Sequence, residues 1–286
     1  MSRLQAALGL ELADCGPVGV GEHGARTLSA ADGRRFVVKT SDAPPPAAPD
    51  AAAVNAALRE RGAPVPLLVF AGHIRGEWVT VQERVDGRTP RSLATGALRQ
   101  VRDLQRAQRG LAGQLPVSWP MPPWRDRLRA DLTGAGHLAA EHAALAGAGD
   151  SALDLLELVA ARAENATLDD ARDGDVVHGD FHHGNMLVDG TGRITAVLDW
   201  DDATSGDARA DLVTLLFSAR TVTHDDRTAG ALLDEIRSEL PPDVRWLYAA
   251  HDVVRSLGWF ALRHPQRDLR SWLASSRSLL DELNAP

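Results

Sequence analysis

At 286 residues and a formal net charge of −8, the chain is long enough for two packed lobes and lacks the basic surplus of a nucleic-acid surface. Apolar residues at 44% and charged residues at 24% are ordinary for a globular protein, and no apolar run is long enough to span a bilayer. Cys15 is the single cysteine, which excludes an internal disulfide and fits a reducing compartment. The opening stretch 1–12 carries Arg3 and Glu11 without a long apolar core, so it is not expected to be a signal peptide, and a cytoplasmic location follows.

Residues 14–40 predict a strand, a glycine loop, a strand, a turn and a strand. Val18 to Gly24 supplies Gly19, Gly21 and Gly24, glycines close enough for backbone amides to approach a phosphate. Such a cluster alone is a weak signal, and it lacks the Gly-Lys-Ser/Thr ending of a P-loop. Lys39 sits inside the apolar strand Phe36-Val37-Val38, where a lysine is either an edge gatekeeper or a functional cation. Pro44-Pro45-Pro46 then excludes a helix until Asp50, which opens an alanine-rich helix over 51–61 with Val54 and Leu58 on one face. Strands are expected at 67–72 and 77–85, followed by a linker at 84–89.

From Pro90 the period changes from two to 3.6, with Leu93, Leu98, Val101, Leu104 and Ala107 in one stripe, so a long helix is expected. Helices are predicted at 125–145 and 150–168, and again at 208–220, 226–239, 243–263 and 266–283, broken by Pro241, Pro242 and Pro265. The fold class is therefore α+β: a small antiparallel N-terminal lobe over 1–88 and a mainly helical lobe over 89–286, with a ligand cleft between them.

The chemistry concentrates in 178–199. Asp180 and Asn185 are separated by four residues, the spacing of a kinase catalytic loop, in which the Asp aligns the acceptor hydroxyl and the Asn holds Mg²⁺. Apolar runs at 185–188 and 194–198 flank Asp189-Gly190-Thr191-Gly192, so a hairpin should return Asp199 beside Asn185. Two converging oxygen ligands suit Mg²⁺, which fills its shell with water and phosphate.

These residues resemble the signature of the aminoglycoside phosphotransferase family, which includes antibiotic and choline kinases with a protein-kinase-like fold. The resemblance runs along nearly the whole chain. It implies ATP or GTP as donor with Mg²⁺, Asp180 as base or hydroxyl aligner, and Asn185 and Asp199 as metal ligands. It further implies Lys39 on the nucleotide phosphates, Glu83 to Val85 as the hinge whose backbone meets adenine, and Asp211 as the acid buttressing the catalytic loop. Ala208, Arg209 and Ala210 depart from the family's proline and hydrophobic residues between Gly206-Asp207 and Asp211-Leu212. The family's early helix Glu is also missing; Asp50, the acid nearby, either pairs with Lys39 or merely caps the helix.

His178 is expected to hold the loop by hydrogen bonds rather than to catalyse. A zinc site from His178, His182 and His183 is disfavoured, because the trio lies on a glycine-flanked loop with no cysteine near. Cys15 lacks the partners of a nucleophile. Asp201 or Asp202 could face the acceptor or cap a loop. On the 243–263 helix, Tyr248, Asp252, Ser256 and Trp259 form a stripe in which Asp252 between aromatics could bind a cation, or simply pair with Arg255 at i+3. The expected partner is a small cationic hydroxylated acceptor, with no nucleic acid and no membrane, for a monomeric chain. An aminoglycoside or tuberactinomycin-type cyclic peptide leads over choline or an amino sugar. A silent nucleotide-binding module is opposed by the intact Lys39, Asp180, Asn185 and Asp199. A protein kinase is opposed by Asp199-Trp200-Asp201 in place of Asp-Phe-Gly.

Overall fold

A computed structural model describes residues 2–18, 25–42, 51–117, 119 and 121–284. The N-terminal part opens with α1 (Ser2–Leu8), which the sequence pattern did not predict, and continues with β1 (Leu12–Pro17), β2 (Arg26–Ala30) and β3 (Arg35–Ser41). Next come α2 (Ala51–Glu60), β4 (Leu68–Ile74) and β5 (Glu77–Glu83). The five strands form one antiparallel sheet in the order β1-β2-β3-β5-β4. Alternation decides its faces: Phe36, Val38, Val79 and Val81 point into a small core, while Lys39 lies on the other face, opposite Thr80. Arg75 and Gly76 both take positive φ (58° and 90°), as a tight type I′ connection between β4 and β5 requires.

The helical part contains α3 (Thr95–Gln108), α4 (Trp124–Leu132), α5 (Ala139–Ala146) and α6 (Asp150–Asn165). After the short strands β6 (Asp175–Val177), β7 (Met186–Val188), β8 (Ile194–Val197) and β9 (Thr204–Gly206) it closes with α7 (Arg209–Ser218), α8 (Asp226–Glu239), α9 (Pro242–Arg263) and α10 (Arg270–Asn284). Val54 and Leu58 of α2 belong to the larger, helical core, so this helix packs across to the C-terminal part. The segment after β5 is tied down as well. Arg88 and Val188 exchange backbone hydrogen bonds of 3.0 and 2.9 Å, and at Gly87 an added Cβ would lie 2.9 Å from Leu187 Cβ.

Two expectations change. The predicted 125–145 helix is broken into α4 and α5, because Gly134 takes φ 78° and Gly136 sits too close to the Asp131 carboxylate to carry a Cβ. The long helix expected from Pro90 begins only at Thr95, with Leu93 held instead by a backbone N–H bond to Asp225 Oδ2 (3.2 Å). The antiparallel β6–β9 pair was not anticipated, and three residues per strand are too few to show alternation. Helix α9 is buried along most of its length. At Gly258 it approaches α5 so closely that a Cβ would lie 2.6 Å from the Glu141 carbonyl oxygen.

Candidate active site

The predicted hairpin is present. Asp189 Oδ1 accepts from Thr191 N–H (2.8 Å) and Arg193 N–H (3.1 Å), closing the turn between β7 and β8. Met186 pairs with Val197, and Leu198 N–H donates to the Asn185 carbonyl (2.7 Å), so Asn185 and Asp199 lie next to each other across the ladder. Asp199 itself is left-handed (φ 63°, ψ 60°), a conformation Asp tolerates better than most residues. Its Oδ1 lies 2.6 Å from Lys39 Nζ, which also reaches Asp201 Oδ2 at 3.5 Å. The ion pair thus spans the N-terminal sheet and the β7–β8 hairpin.

The 178–185 loop hangs from β6. Asp211, at the start of α7 and fully buried, accepts from His178 N–H (2.9 Å), Gly179 N–H (3.2 Å) and Gln108 Nε2 (2.6 Å). His178 is also fully buried. Its Nδ1 accepts from Asp180 N–H (3.2 Å), which leaves Nε2 to donate to the Leu198 carbonyl (2.8 Å). One imidazole therefore fixes the backbone at Asp180 and at the residue before Asp199. Gly179 (φ 82°) is needed here, since a Cβ would meet the Asp202 carbonyl oxygen at 2.9 Å.

The Asp180 carboxylate is bonded at both oxygens. Oδ1 accepts from Arg255 Nη1 (2.9 Å), and Oδ2 accepts from Asn185 Nδ2 (2.9 Å) with His182 Nε2 at 3.2 Å. His182 Nδ1 accepts from Gly184 N–H (2.9 Å), so its Nε2 carries the proton that points to Asp180. Burial alone would raise the Asp180 carboxyl, but the Arg255 charge and the His182 bond outweigh it and hold it well below the usual carboxylate range. Burial likewise opposes charge on Lys39, yet Asp199 and Asp201 keep its ammonium above the ordinary lysine value. Of those two acids, burial raises Asp201, whereas Lys39 overcomes burial at Asp199 and lowers it.

Asn185 spends its amide hydrogens on Asp180, through the backbone carbonyl (2.9 Å) and the carboxylate. Its carboxamide oxygen and the Asp199 carboxylate are thus the donors that could hold a cation, and an all-oxygen pair fits Mg²⁺. The histidines do not gather around an ion. His178 and His182 are committed as above, and His183 is buried with Nδ1 3.0 Å from Ser218 Oγ. A different group does converge: Asp131, His137 and His251 offer ligand atoms within 4.8 Å of one another. There the Asp131 oxygens already pair with His137 Nδ1 (2.7 Å) and His251 Nε2 (3.0 Å), which ties the 133–138 loop to α9.

Beside Gly179 of the 178–185 loop lies a cavity of about 280 Å³ whose wall includes Glu141, Asp202, Asp252, Arg255 and Trp259. Burial raises the Asp202 carboxyl. The Asp252–Arg255 pairing weighed from the sequence is the geometry found: Asp252 is 2% exposed and its Oδ1 accepts from Arg255 Nη2 (2.9 Å). Tyr248, grouped with it in one stripe, is buried and donates its hydroxyl to Asp207 Oδ2 (2.8 Å). At the end of β5, Glu83 N–H donates to the Leu67 carbonyl (2.9 Å), and just beyond it Arg84 N–H donates to that of Arg35 (2.8 Å), while Val85 is half-buried. Gly19, Gly21, Gly24 and Asp50 lie outside the described residues. Sequence reasoning did not single out Arg255 or Gln108 as site residues. Arg255 had a signal, its position three residues after Asp252 and four before Trp259, but nothing local tells which loop that face of α9 meets.

The antiparallel sheet followed by a helical body, with lysine, Asp-Asn loop and second Asp brought together, defines a kinase-like phosphotransferase acting on hydroxyl groups. The chain belongs to the phosphotransferase enzyme family, whose model matches residues 16–257. No protein of curated function matches it by sequence. Among solved structures it is similar to a thermostable mutant of aminoglycoside phosphotransferase APH(4)-Ia in ternary complex with ADP and hygromycin B. That similarity has a TM-score of 0.69 at 19% identity over 100% of this chain and 99% of the other. It is also similar to spectinomycin phosphotransferase APH(9)-Ia in complex with ADP and spectinomycin, with a TM-score of 0.60 at 14% identity over 100% and 94%. A third similarity is to amicoumacin kinase hAmiN in complex with AMP-PNP, Ca²⁺ and Ami, with a TM-score of 0.58 at 15% identity over 99% and 91%. At these identities the likeness carries the fold. No helix among the described residues is long and apolar enough to cross a membrane.

Proposed function

We propose that the chain transfers the γ-phosphate of ATP or GTP to a hydroxyl of a small cationic antibiotic, an aminoglycoside or a tuberactinomycin-type cyclic peptide, and so inactivates it. The observation that carries this reading is the convergence of two bonded pairs, Lys39 with Asp199 and Asn185 with Asp180, brought together by the Leu198 N–H bond to the Asn185 carbonyl, beside a cavity whose wall includes Glu141, Asp202 and Asp252. Lys39 would exchange its carboxylate partners for the nucleotide phosphates. The Glu83 carbonyl and the Val85 N–H would meet the base from the linker. Asn185 and Asp199 would hold Mg²⁺, which offsets the charge spreading over the transferred phosphoryl group. Asp180, held ionised, acts by orienting the acceptor hydroxyl and accepting its proton late, when the O–P bond is largely formed.

The wall also carries Arg127 and Arg255, the latter paired with Asp252, so attraction for a cationic acceptor rests on Glu141 and Asp202, whose carboxylates favour an ammonium group entering a partly desolvated site. The neighbouring structures with hygromycin B and spectinomycin support an antibiotic acceptor over a metabolite. The test is transfer of γ-labelled phosphate from ATP and GTP to a panel of aminoglycosides, tuberactinomycins, choline and amino sugars. Label on a cationic antibiotic supports the reading. Efficient labelling of choline or an amino sugar alone would replace it with a metabolite kinase.

A further inference from the structure

Helix α9 reaches the catalytic loop through one side chain. Arg255 Nη1 lies 2.9 Å from Asp180 Oδ1, and Nη2 lies 2.9 Å from Asp252 Oδ1, one turn earlier on the same helix. The Asp252 side chain is 3% exposed, whereas Asp180 is 27% exposed, so the guanidinium runs from the interior to the reacting group. Asp252 also lines the acceptor cavity, and its Oδ2 is buried without a hydrogen-bond partner among the described residues. We propose that Arg255 is a positioning residue for the transfer reaction: anchored by Asp252, it sets the orientation of the Asp180 carboxylate toward the acceptor hydroxyl. This rests on the reading of Asp180 given above.

The geometry explains why an arginine stands here. A carboxylate swings about its Cα–Cβ and Cβ–Cγ bonds unless both oxygens are engaged. Asn185 and His182 hold one oxygen of Asp180 and leave the other to Arg255. A planar guanidinium can hold one carboxylate with each arm, and fixing the first arm on Asp252 fixes the direction of the second. An ammonium at the same place would supply charge without that direction. The pair is also where α9, built into the core from Val244 to Ala261, transmits its rigidity to a loop that must hold its acceptor oxygen to within a fraction of an ångström.

The test is a double-mutant cycle on acceptor-dependent turnover: wild type, Asp180→Asn, Arg255→Ala and the double variant. Arg255→Ala is expected to lower kcat about 10- to 100-fold, the scale of a small misplacement of a catalytic group, with the nucleotide KM changed less than about threefold. In the Asp180→Asn background the same substitution should change kcat by less than about threefold, because the group it positions is already disabled. Arg255→Lys should recover only part of the rate. Arg255→Ala strands Asp252 as a buried charge, so the cycle is repeated with Arg255→Gln/Asp252→Asn, which removes both charges together. An Arg255 effect of equal size with and without the Asp180 carboxylate would overturn the proposal, since the residue would then act on the fold or the acceptor directly. So would failure of both Arg255 variants to fold, which would make the residue structural. If Asp180→Asn alone retained full transfer, it would be the assignment of Asp180, and not the role of Arg255, that failed.

Discussion

Replacing Lys39 by Ala tests the nucleotide end of the site, and the structure sets what should follow. Lys39 bridges Asp199 at 2.6 Å and Asp201 at 3.5 Å, with side-chain exposures of 22%, 33% and 37%. The pair lies between an exposed ion pair and a buried one, so losing it should destabilise the chain by about 1–2 kcal/mol. Two carboxylates then face each other without a counter-charge, and Mg²⁺ should restore part of that loss. Phosphate binding exchanges one set of anionic partners of Lys39 for another, so triphosphate affinity should fall by no more than about tenfold, a small differential effect. Turnover is different, because charge on the phosphoryl oxygens spreads in the transition state. Removing one preorganised cation should lower kcat by about 10²–10³. The assay is steady-state phosphate transfer beside thermal unfolding with and without Mg²⁺ on the same preparation. If Lys39→Ala turns over like the parent, the placement of the triphosphate against β3 is wrong.

Asp199→Asn should abolish Mg²⁺-dependent transfer, because a neutral ligand holds the ion poorly; full activity at saturating Mg²⁺ would remove Asp199 as the main ligand. Gly258→Ala should destabilise by about 1–3 kcal/mol in urea unfolding, since its Cβ would press on the Glu141 backbone between α5 and α9. An unchanged midpoint would mean that the two helices separate easily. The Asp131 network should make stability fall with acid in two stages. Burial lowers the His251 pKa, so below about pH 6.5 the unfolded chain takes up a proton that the folded one refuses, and stability declines. Burial would raise Asp131, but its bonds to His137 and His251 win and lower it, so its contribution is present above about pH 3.8 and is lost as pH falls further. Burial also lowers His183, to about 4, so His251→Gln should reduce but not abolish the fall of urea midpoints from pH 7 to 5, and an unaltered slope would place the titration at His183 instead.

The sequence exposed those parts of the molecule whose constraints are local. The Asp180-to-Asn185 spacing, the Asp189 turn and the apolar runs beside it are short-range features, and the structure has the hairpin they imply. The strand carrying Lys39 was legible because the lysine ends the short apolar run Phe36-Val37-Val38. What stayed hidden depends on distant neighbours. Gly134 and Gly136 are tolerable inside a helical pattern, and only the Asp131 carboxylate shows why the helix must stop. The β6–β9 pair is too short to carry a period, and its residues are set by hydrogen bonds across a long sequence gap. Arg255 was visible only as a partner for Asp252, because a helical wheel shows which residues share a face but not the loop which that face meets.

A carboxylate that orients the acceptor hydroxyl should contribute little to holding the nucleotide, and Asp180 can be tested on both counts. Asp180→Asn keeps the shape of the side chain and one acceptor oxygen while removing the charge. Its turnover should fall at least about a hundredfold, the scale of a positioned base. Its affinity for a non-hydrolysable triphosphate, measured by calorimetry on the same preparation, should stay within a few fold, since Lys39 and the Asn185–Asp199 pair remain in place. A parallel loss of rate and nucleotide affinity would instead make Asp180 a support of the loop's structure and remove its role on the hydroxyl.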